Sequence, residues 1–206
     1  MSDNYRKNCF KKILDASSVY DIAIKSPVQF APKLSSKLKN RIYIKREDLQ
    51  PVFSFKLRGA YNKISKIKNP NHIVAASAGN HAQGVALTCK KLKLNSTIVM
   101  PLTTPSIKVN AVKKHGTRII LHGDTYDEAY QYAIKYSKKH NFNFVHPYDD
   151  IDVIAGQGTI GIEILDQLKE HPDYIFIPVG GGGLLAGISV YLKTINPKIK
   201  IVAVEA

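Results

Sequence analysis

Cysteine is scarce in this chain of 206 residues. Cys9 and Cys89 stand far apart and form no CxxC pair, which argues against a disulfide scaffold or a cysteine zinc cluster and fits a reducing cytosol. No apolar run approaches the ~20 residues that span a bilayer. The opening MSDNYRKNCFKK lacks the apolar core of a secretory signal. No further histidine stands at metal-ligand spacing from His81, so no metal is expected. Arginine is also sparse, five residues against 25 lysines, and this decides how the charge is read. A formal net charge of +14 invites a nucleic-acid partner. Yet arginine is the preferred residue for bidentate phosphate and guanine contacts. The lysines are scattered, and no RNP, KH or zinc-finger pattern accompanies them. Solvated lysine faces are expected, with neither nucleic acid nor membrane as partner.

What is present is ordinary globular composition, 44% hydrophobic and 22% charged. The length suits one core, or one domain with part of a second. A cytoplasmic, soluble protein is the expectation. After an irregular start, short β-rich runs recur at 41–45, 72–77, 96–101, 117–123, 142–147, 174–180 and 200–206. Most are near-continuous apolar stretches, the pattern of parallel strands buried on both faces. Amphipathic helical segments fall at about 56–68, 80–93, 105–115, 124–139, 156–170 and 183–195. Thr104 before Pro105 reads as an N-cap with proline in the first helical position. Asp124, Asp127 and Glu128 place acid where a helix dipole favours it. Such alternation implies an α/β fold. HPYDD (146–150) is a soft boundary. The sequence ends at VAVEA, on the carboxyl end of an expected strand, where open α/β sheets bind ligands. An unfinished domain is expected.

Three stretches carry chemistry. VGGGGLLAGI (179–188) sets four glycines between an apolar strand and a helix. Without Cβ atoms, backbone N–H groups converge on an anion at a helix N-terminus, a cradle sized for phosphate. No GK[ST] follows, so it is not a P-loop, and a merely tight turn is the competing account. ASAGNHAQGVA (76–86) is a second strand-to-helix junction, where exposed amides near Ser77, Gly79 and Asn80 could receive a carboxylate. Capping by Ser77 or Asn80 is the simpler alternative. SFKLRGAY (54–61) places Lys56 beside Phe55 at a helix start, after a serine. Either its stem packs while the ammonium reaches water, or burial and the dipole favour a neutral, reactive amine. A phosphate cradle, a carboxylate loop, a side-chain amide and such a lysine together suit pyridoxal 5'-phosphate.

KREDLQPVFSFKLRGAY (45–61), SAGNHAQGVAL (77–87), HGDTYDEA (122–129), VIAGQGTIGIEI (153–164) and IPVGGGGL (177–184) resemble the fold-type II pyridoxal-phosphate enzymes. Within them the likeness is to the threonine dehydratase (threonine ammonia-lyase) family, biosynthetic type, and runs from Arg41 to Ala206. The resemblance implies a tryptophan synthase β-like α/β fold of two parallel-sheet subdomains, the larger one truncated. Residues 47–147 would form the small domain. Residues 1–46 would belong to the large cofactor-binding domain, which resumes at 148–206.

By the same resemblance, Lys56 holds the cofactor through an imine and removes the substrate's α-proton, with Phe55 beside the ring. Asn80 would bond the phenolic oxygen, and Gly180, Gly181, Gly182, Gly183 and Leu184 the phosphate. Ser77, Ala78, Gly79, Asn80 and His81 would receive the substrate carboxylate. The implied reaction converts L-threonine to 2-oxobutanoate and ammonia, the first step towards isoleucine, in a homo-oligomer (a tetramer in full-length members). The family continues past the strand matching KIVAVEA, with a hydroxyl residue meeting the pyridine nitrogen and, in biosynthetic members, a regulatory domain. Neither is in this chain, which is expected not to turn threonine over alone. A fragment, a split enzyme and a non-catalytic remnant stay open, as does a serine dehydratase or racemase, because threonine and serine differ by one methyl group, worth ~1–3 kcal/mol in a pocket.

Overall fold

The structure, a computed structural model, describes residues 2–205. Ala206, the end of the expected last strand, lies outside them. The first forty-odd positions are not irregular, contrary to expectation. Helix α1 (Asp3–Leu14) opens on Ser2, whose hydroxyl accepts from the Tyr5 N–H. A 3-10 turn (Ser17–Asp21) follows, and then an antiparallel pair, β1 (Val28–Phe30) and β2 (Tyr43–Lys45), flanking α2 (Pro32–Leu38). The apolar stripe of α1 is thin, with Cys9 and Ile13 its buried residues, so periodicity alone does not reveal it. Both pack against Ile154, Ala155 and Val190.

The next part alternates α3 (Lys56–Ile64), β3 (Ile73–Ala76), α4 (Asn80–Leu92), β4 (Ser96–Met100), α5 (Ser106–Lys113), β5 (Arg118–Leu121), α6 (Tyr126–Lys139) and β6 (Asn143–Phe144). The strands form one parallel sheet in the order β5-β4-β3-β6. Side chains alternate across it, as strand geometry requires. Ile73, Ala75, Ile98 and Met100 pack towards α3 and α4, while Val74, Ala76 and Val99 pack towards α6. With both faces covered, β3 and β4 read as unbroken apolar runs. The chain steps outward from β3 to β5, then returns to place β6 on the other side of β3. Strand order therefore reverses between β3 and β6, and the crevice beyond their carboxyl ends is the topological switch point where such sheets take ligands.

Helix α7 (Ile151–Gln167), β7 (Tyr174–Val179), α8 (Gly183–Ile195) and β8 (Lys200–Glu205) follow, with β7 and β8 parallel. These two strands correct the expectation of burial on both faces. Ile175, Ile177 and Ile201 pack on α7 and α8, but Tyr174 and Phe176 alternate outward and are 51% and 67% exposed. Three helix starts also differ from expectation. Asp150, within HPYDD, is a helix cap: it accepts from the N–H groups of Asp152 and Val153, so α7 begins at 151 rather than 156. Pro105, not Thr104, occupies the cap position of α5. Thr125, not Asp124, caps α6, in a reciprocal box with Glu128.

Helices α3 and α8 both lie on α7 at backbone contact. A Cβ on Gly156 would sit 2.6 Å from the Arg58 carbonyl oxygen, and one on Gly187 would sit 2.4 Å from that of Ile154. Only glycine permits either approach. The start of α3 and the start of α8 are thereby drawn together.

Candidate active site

Lys56 is the first residue of α3, and Ser54 behind it accepts the Lys56 backbone N–H at 3.2 Å. The side-chain amine donates to the Pro147 carbonyl at 2.9 Å and lies 5.5 Å from the centre of the Phe55 ring. Burial pushes its pKa below the usual lysine value. The snorkelling alternative therefore fails here, because the amine is turned inward.

Opposite stands the loop after β7. Gly182 adopts φ 82°, a left-handed conformation that favours glycine, and caps α8. Phe55, Lys56, Pro178, Val179, Gly180, Gly181, Gly182, Gly183 and Leu184 line one cavity of about 230 Å³. This is just below the ~300–1,000 Å³ usual for ligand pockets. A Cβ on Gly180 or Gly182 would meet nothing within 4 Å, whereas on Gly181 it would strike the Tyr148 ring. The loop thus has an open side facing space and a closed side against Tyr148. Gly181, Gly182 and Gly183 also border a larger hollow of about 680 Å³ on the Tyr148 side, with Ser2, Tyr5, Tyr148 and Asp149. No lysine lines it, whereas the smaller cavity holds Lys56.

The junction from Ser77 to His81 sits at the carboxyl end of β3. It is not part of the cavity lining. Ser77 Oγ accepts the Gly79 N–H at 3.2 Å, which turns the loop, and α4 starts at Asn80 without a side-chain cap. Neither Ser77 nor Asn80 caps this helix, so the simpler alternative does not hold and the first amides of α4 stay available. Gly84 lets α4 approach α3: a Cβ there would lie 3.2 Å from the Leu57 backbone and from the Lys56 carbonyl carbon. The His81 ring turns into the core, with Nε2 3.2 Å from the Val145 carbonyl oxygen and Nδ1 unpartnered. Burial, with the Lys56 charge adding to it, pushes its pKa down to about 3, so it stays neutral and is no base in this pocket.

Sequence reasoning missed two features. One is the strap at Pro147 and Tyr148, which only the β6 connection brings to the site. The other is a buried charge cluster. Arg58, 0% exposed, donates to both Glu47 oxygens at 2.8 Å, to Glu163, to Thr159 Oγ1 at 3.1 Å and to the Ile24 carbonyl at 3.1 Å. Glu163 also accepts from Lys45 at 2.6 Å and Tyr20 at 2.7 Å. Burial alone would raise the Glu163 pKa, but Arg58, Lys45 and Tyr20 outweigh it and hold the carboxylate ionised. These residues stand inside KREDL, KLRGAY and GIEI, yet no spacing rule pairs charges so distant in sequence.

A buried amine at one end of a cavity and a bare-glycine anion cradle at the other fit a phosphorylated aldehyde. Among the described residues no His, Cys, Asp or Glu group is arranged to hold a metal ion. The model of the pyridoxal-phosphate dependent enzymes matches residues 19–206, and the chain belongs to that family. Within it, the chain is 53% identical over 193 residues to threonine dehydratase 1 (biosynthetic, chloroplastic) of Solanum lycopersicum, covering 92% of this chain and 32% of that protein. The structure of processed threonine deaminase isoform 2 from the same plant superposes with a TM-score of 0.94 at 50% identity, covering all of this chain and 57% of that one. Maize serine racemase superposes with a TM-score of 0.90 at 31% identity, covering 94% of this chain and 60% of that one. The chain spans about a third of the length of the curated tomato dehydratase it matches.

Proposed function

We propose that this protein serves in the pyridoxal-phosphate-dependent conversion of L-threonine to 2-oxobutanoate and ammonia, in which water is first lost and then taken up again. The observation behind this reading is the single cavity that holds both the Lys56 amine and the glycine loop. The identity to biosynthetic threonine dehydratases favours threonine over serine as substrate.

In this reading Lys56 would hold the cofactor at its aldehyde carbon and, once the substrate's amine takes that place, would as a neutral amine accept the proton from the substrate's Cα. Its depressed pKa suits both tasks, since a protonated ammonium can neither add to a carbonyl nor accept a proton. Phe55 supplies an apolar wall. The open side of Gly180 to Leu184 turns backbone N–H groups and the start of α8 towards the phosphate. Asn80 bonds the phenolic oxygen, and the uncapped first turn of α4, with the loop from Ser77 to His81, receives the substrate carboxylate through backbone amides. When bound, the cofactor supplies the electron sink for charge developing at Cα. Loss of the Cα proton and the Cβ hydroxyl then releases water. The enamine product hydrolyses to the oxo acid and ammonia. Residues 47–147 form the small domain of this reading, and residues 1–46 with 148–206 contribute to the large one.

Borohydride reduction of the protein loaded with pyridoxal phosphate, followed by peptide mapping, should place the label on Lys56. Gly180→Ala should keep the unfolding midpoint and weaken cofactor binding at least tenfold, because Gly180 lines the cavity and its Cβ would touch no other part of the protein. Label elsewhere, or unchanged affinity in Gly180→Ala, would refute the site. In the enzyme completed by the part that the family carries beyond this chain, L-threonine should yield 2-oxobutanoate faster than L-serine yields pyruvate; the reverse order would refute the substrate.

A further inference from the structure

The strap after β6 touches both ends of the cavity through adjacent residues. The Pro147 carbonyl accepts from Lys56 at 2.9 Å. Tyr148 lies behind the glycine loop: Cδ1, Cγ and Cε1 of its ring come within 2.2–2.5 Å of where a Gly181 Cβ would be. Its backbone lies against Gly183 as well, 2.9 Å from a Cβ there to the Tyr148 carbonyl oxygen. The strap is itself pinned. His146 Nδ1 accepts the N–H groups of Tyr148 at 3.3 Å and Asp149 at 2.8 Å, and the His146 and Tyr148 rings meet edge to face at 4.7 Å. Asp150 then caps α7.

We propose that Tyr148 is the positioning residue for the anion end of the site, holding the glycine loop from behind in the curve that receives phosphate. This rests on the reading that the loop binds the cofactor's phosphate. Four glycines in a row are entropically costly to order, since glycine loses more backbone freedom than any other residue. An anion cradle is effective only when its N–H groups are already converged. A flat ring filling the space that a side chain at Gly181 would otherwise take, with the Tyr148 backbone and Cβ doing the same at Gly183, supplies that order without entering the cavity. The contact uses the ring carbons, so the hydroxyl is dispensable to it. Pro147, one residue earlier, keeps the amine at the other end, so the strap registers the two ends against each other.

The test compares pyridoxal phosphate with pyridoxal, which has the same ring and aldehyde but no phosphate, by absorbance titration of wild type, Tyr148→Phe and Tyr148→Ala, with far-UV circular dichroism as the folding control. Wild type should bind pyridoxal phosphate at least tenfold tighter than pyridoxal, and Tyr148→Phe should keep that ratio. Tyr148→Ala should lose at least tenfold in pyridoxal phosphate affinity while its pyridoxal affinity stays within twofold. Should Tyr148→Ala fail to fold, Tyr148→Leu takes its place with the same readout. An unchanged ratio in the Ala or Leu variant, or equal loss for both ligands, overturns the positioning role and leaves the phosphate loop standing. No preference for the phosphorylated ligand in wild type overturns the loop reading, and this inference with it.

Discussion

The Lys56 amine is bonded to the Pro147 carbonyl at 2.9 Å, and desolvation is the cause of its lowered pKa. The unfolded chain therefore holds a proton on this lysine over a pH range in which the folded chain does not. In that window, from the lowered folded pKa up to the ordinary value near 10.5, stability rises with pH. Lys56→Met should be more stable than wild type at neutral pH, and its advantage should shrink as pH climbs through the window. Urea unfolding at several pH values measures this; an advantage independent of pH would contradict the assigned burial.

His81 gives the acid-side counterpart. With its folded pKa pushed down to about 3, the unfolded state binds the proton first as pH falls below about 6.5. Its contribution to stability is complete above that pH and is lost progressively towards pH 3. His81→Leu should flatten this part of the pH–stability curve. A curve for the variant parallel to wild type between pH 6.5 and 4 would show that His81 is not buried neutral.

Arg58 balances Glu47 and Glu163 inside the fold. Arg58→Ala leaves both carboxylates without their shared cation, and should cost ~3–5 kcal/mol or prevent folding. Arg58→Met with Glu163→Gln removes a charge from each side and should recover part of that loss. Chemical denaturation of the variants decides it; a single variant within 1 kcal/mol of wild type, as estimated for a surface pair, would mean the cluster is not closed.

Gly156 and Gly180 should respond to alanine in opposite ways. At Gly156 the added methyl group meets the Arg58 backbone, so the helices must part, at ~1–3 kcal/mol. At Gly180 it meets open space, so stability should change by less than ~0.5 kcal/mol while cofactor affinity falls. Thermal unfolding and cofactor titration of both variants separate the effects; equal stability losses would contradict the geometry.

The parallel sheet was legible in sequence because β3 and β4 are covered on both faces, which leaves unbroken apolar runs. Strands β7 and β8 look the same in sequence, yet Tyr174 and Phe176 point outward, since aromatic residues disguise an open face as a buried one. Helix α1 hid behind its lysines. The glycine loop and Lys56, which share one cavity, stood out through local chemistry at a strand or helix end, and so did the Ser77 to His81 junction, which lies outside that cavity's lining. The strap at Pro147 and the Arg58 cluster did not, because each depends on partners that only the chain's return across the sheet brings near: 91 positions separate Lys56 from Pro147, and 105 separate Arg58 from Glu163.

The backbone contacts of α3 and α8 with α7 have a consequence for ligand choice. With no side chains between the helices at these crossings, the spacing between the start of α3 and the start of α8 is set by the thickness of bare polypeptide, and only the Lys56 side chain has rotamers with which to adjust. The site then works as a gauge of length. In the proposed reading, a molecule whose aldehyde and anion lie farther apart than the lysine stem can accommodate reaches one end and misses the other.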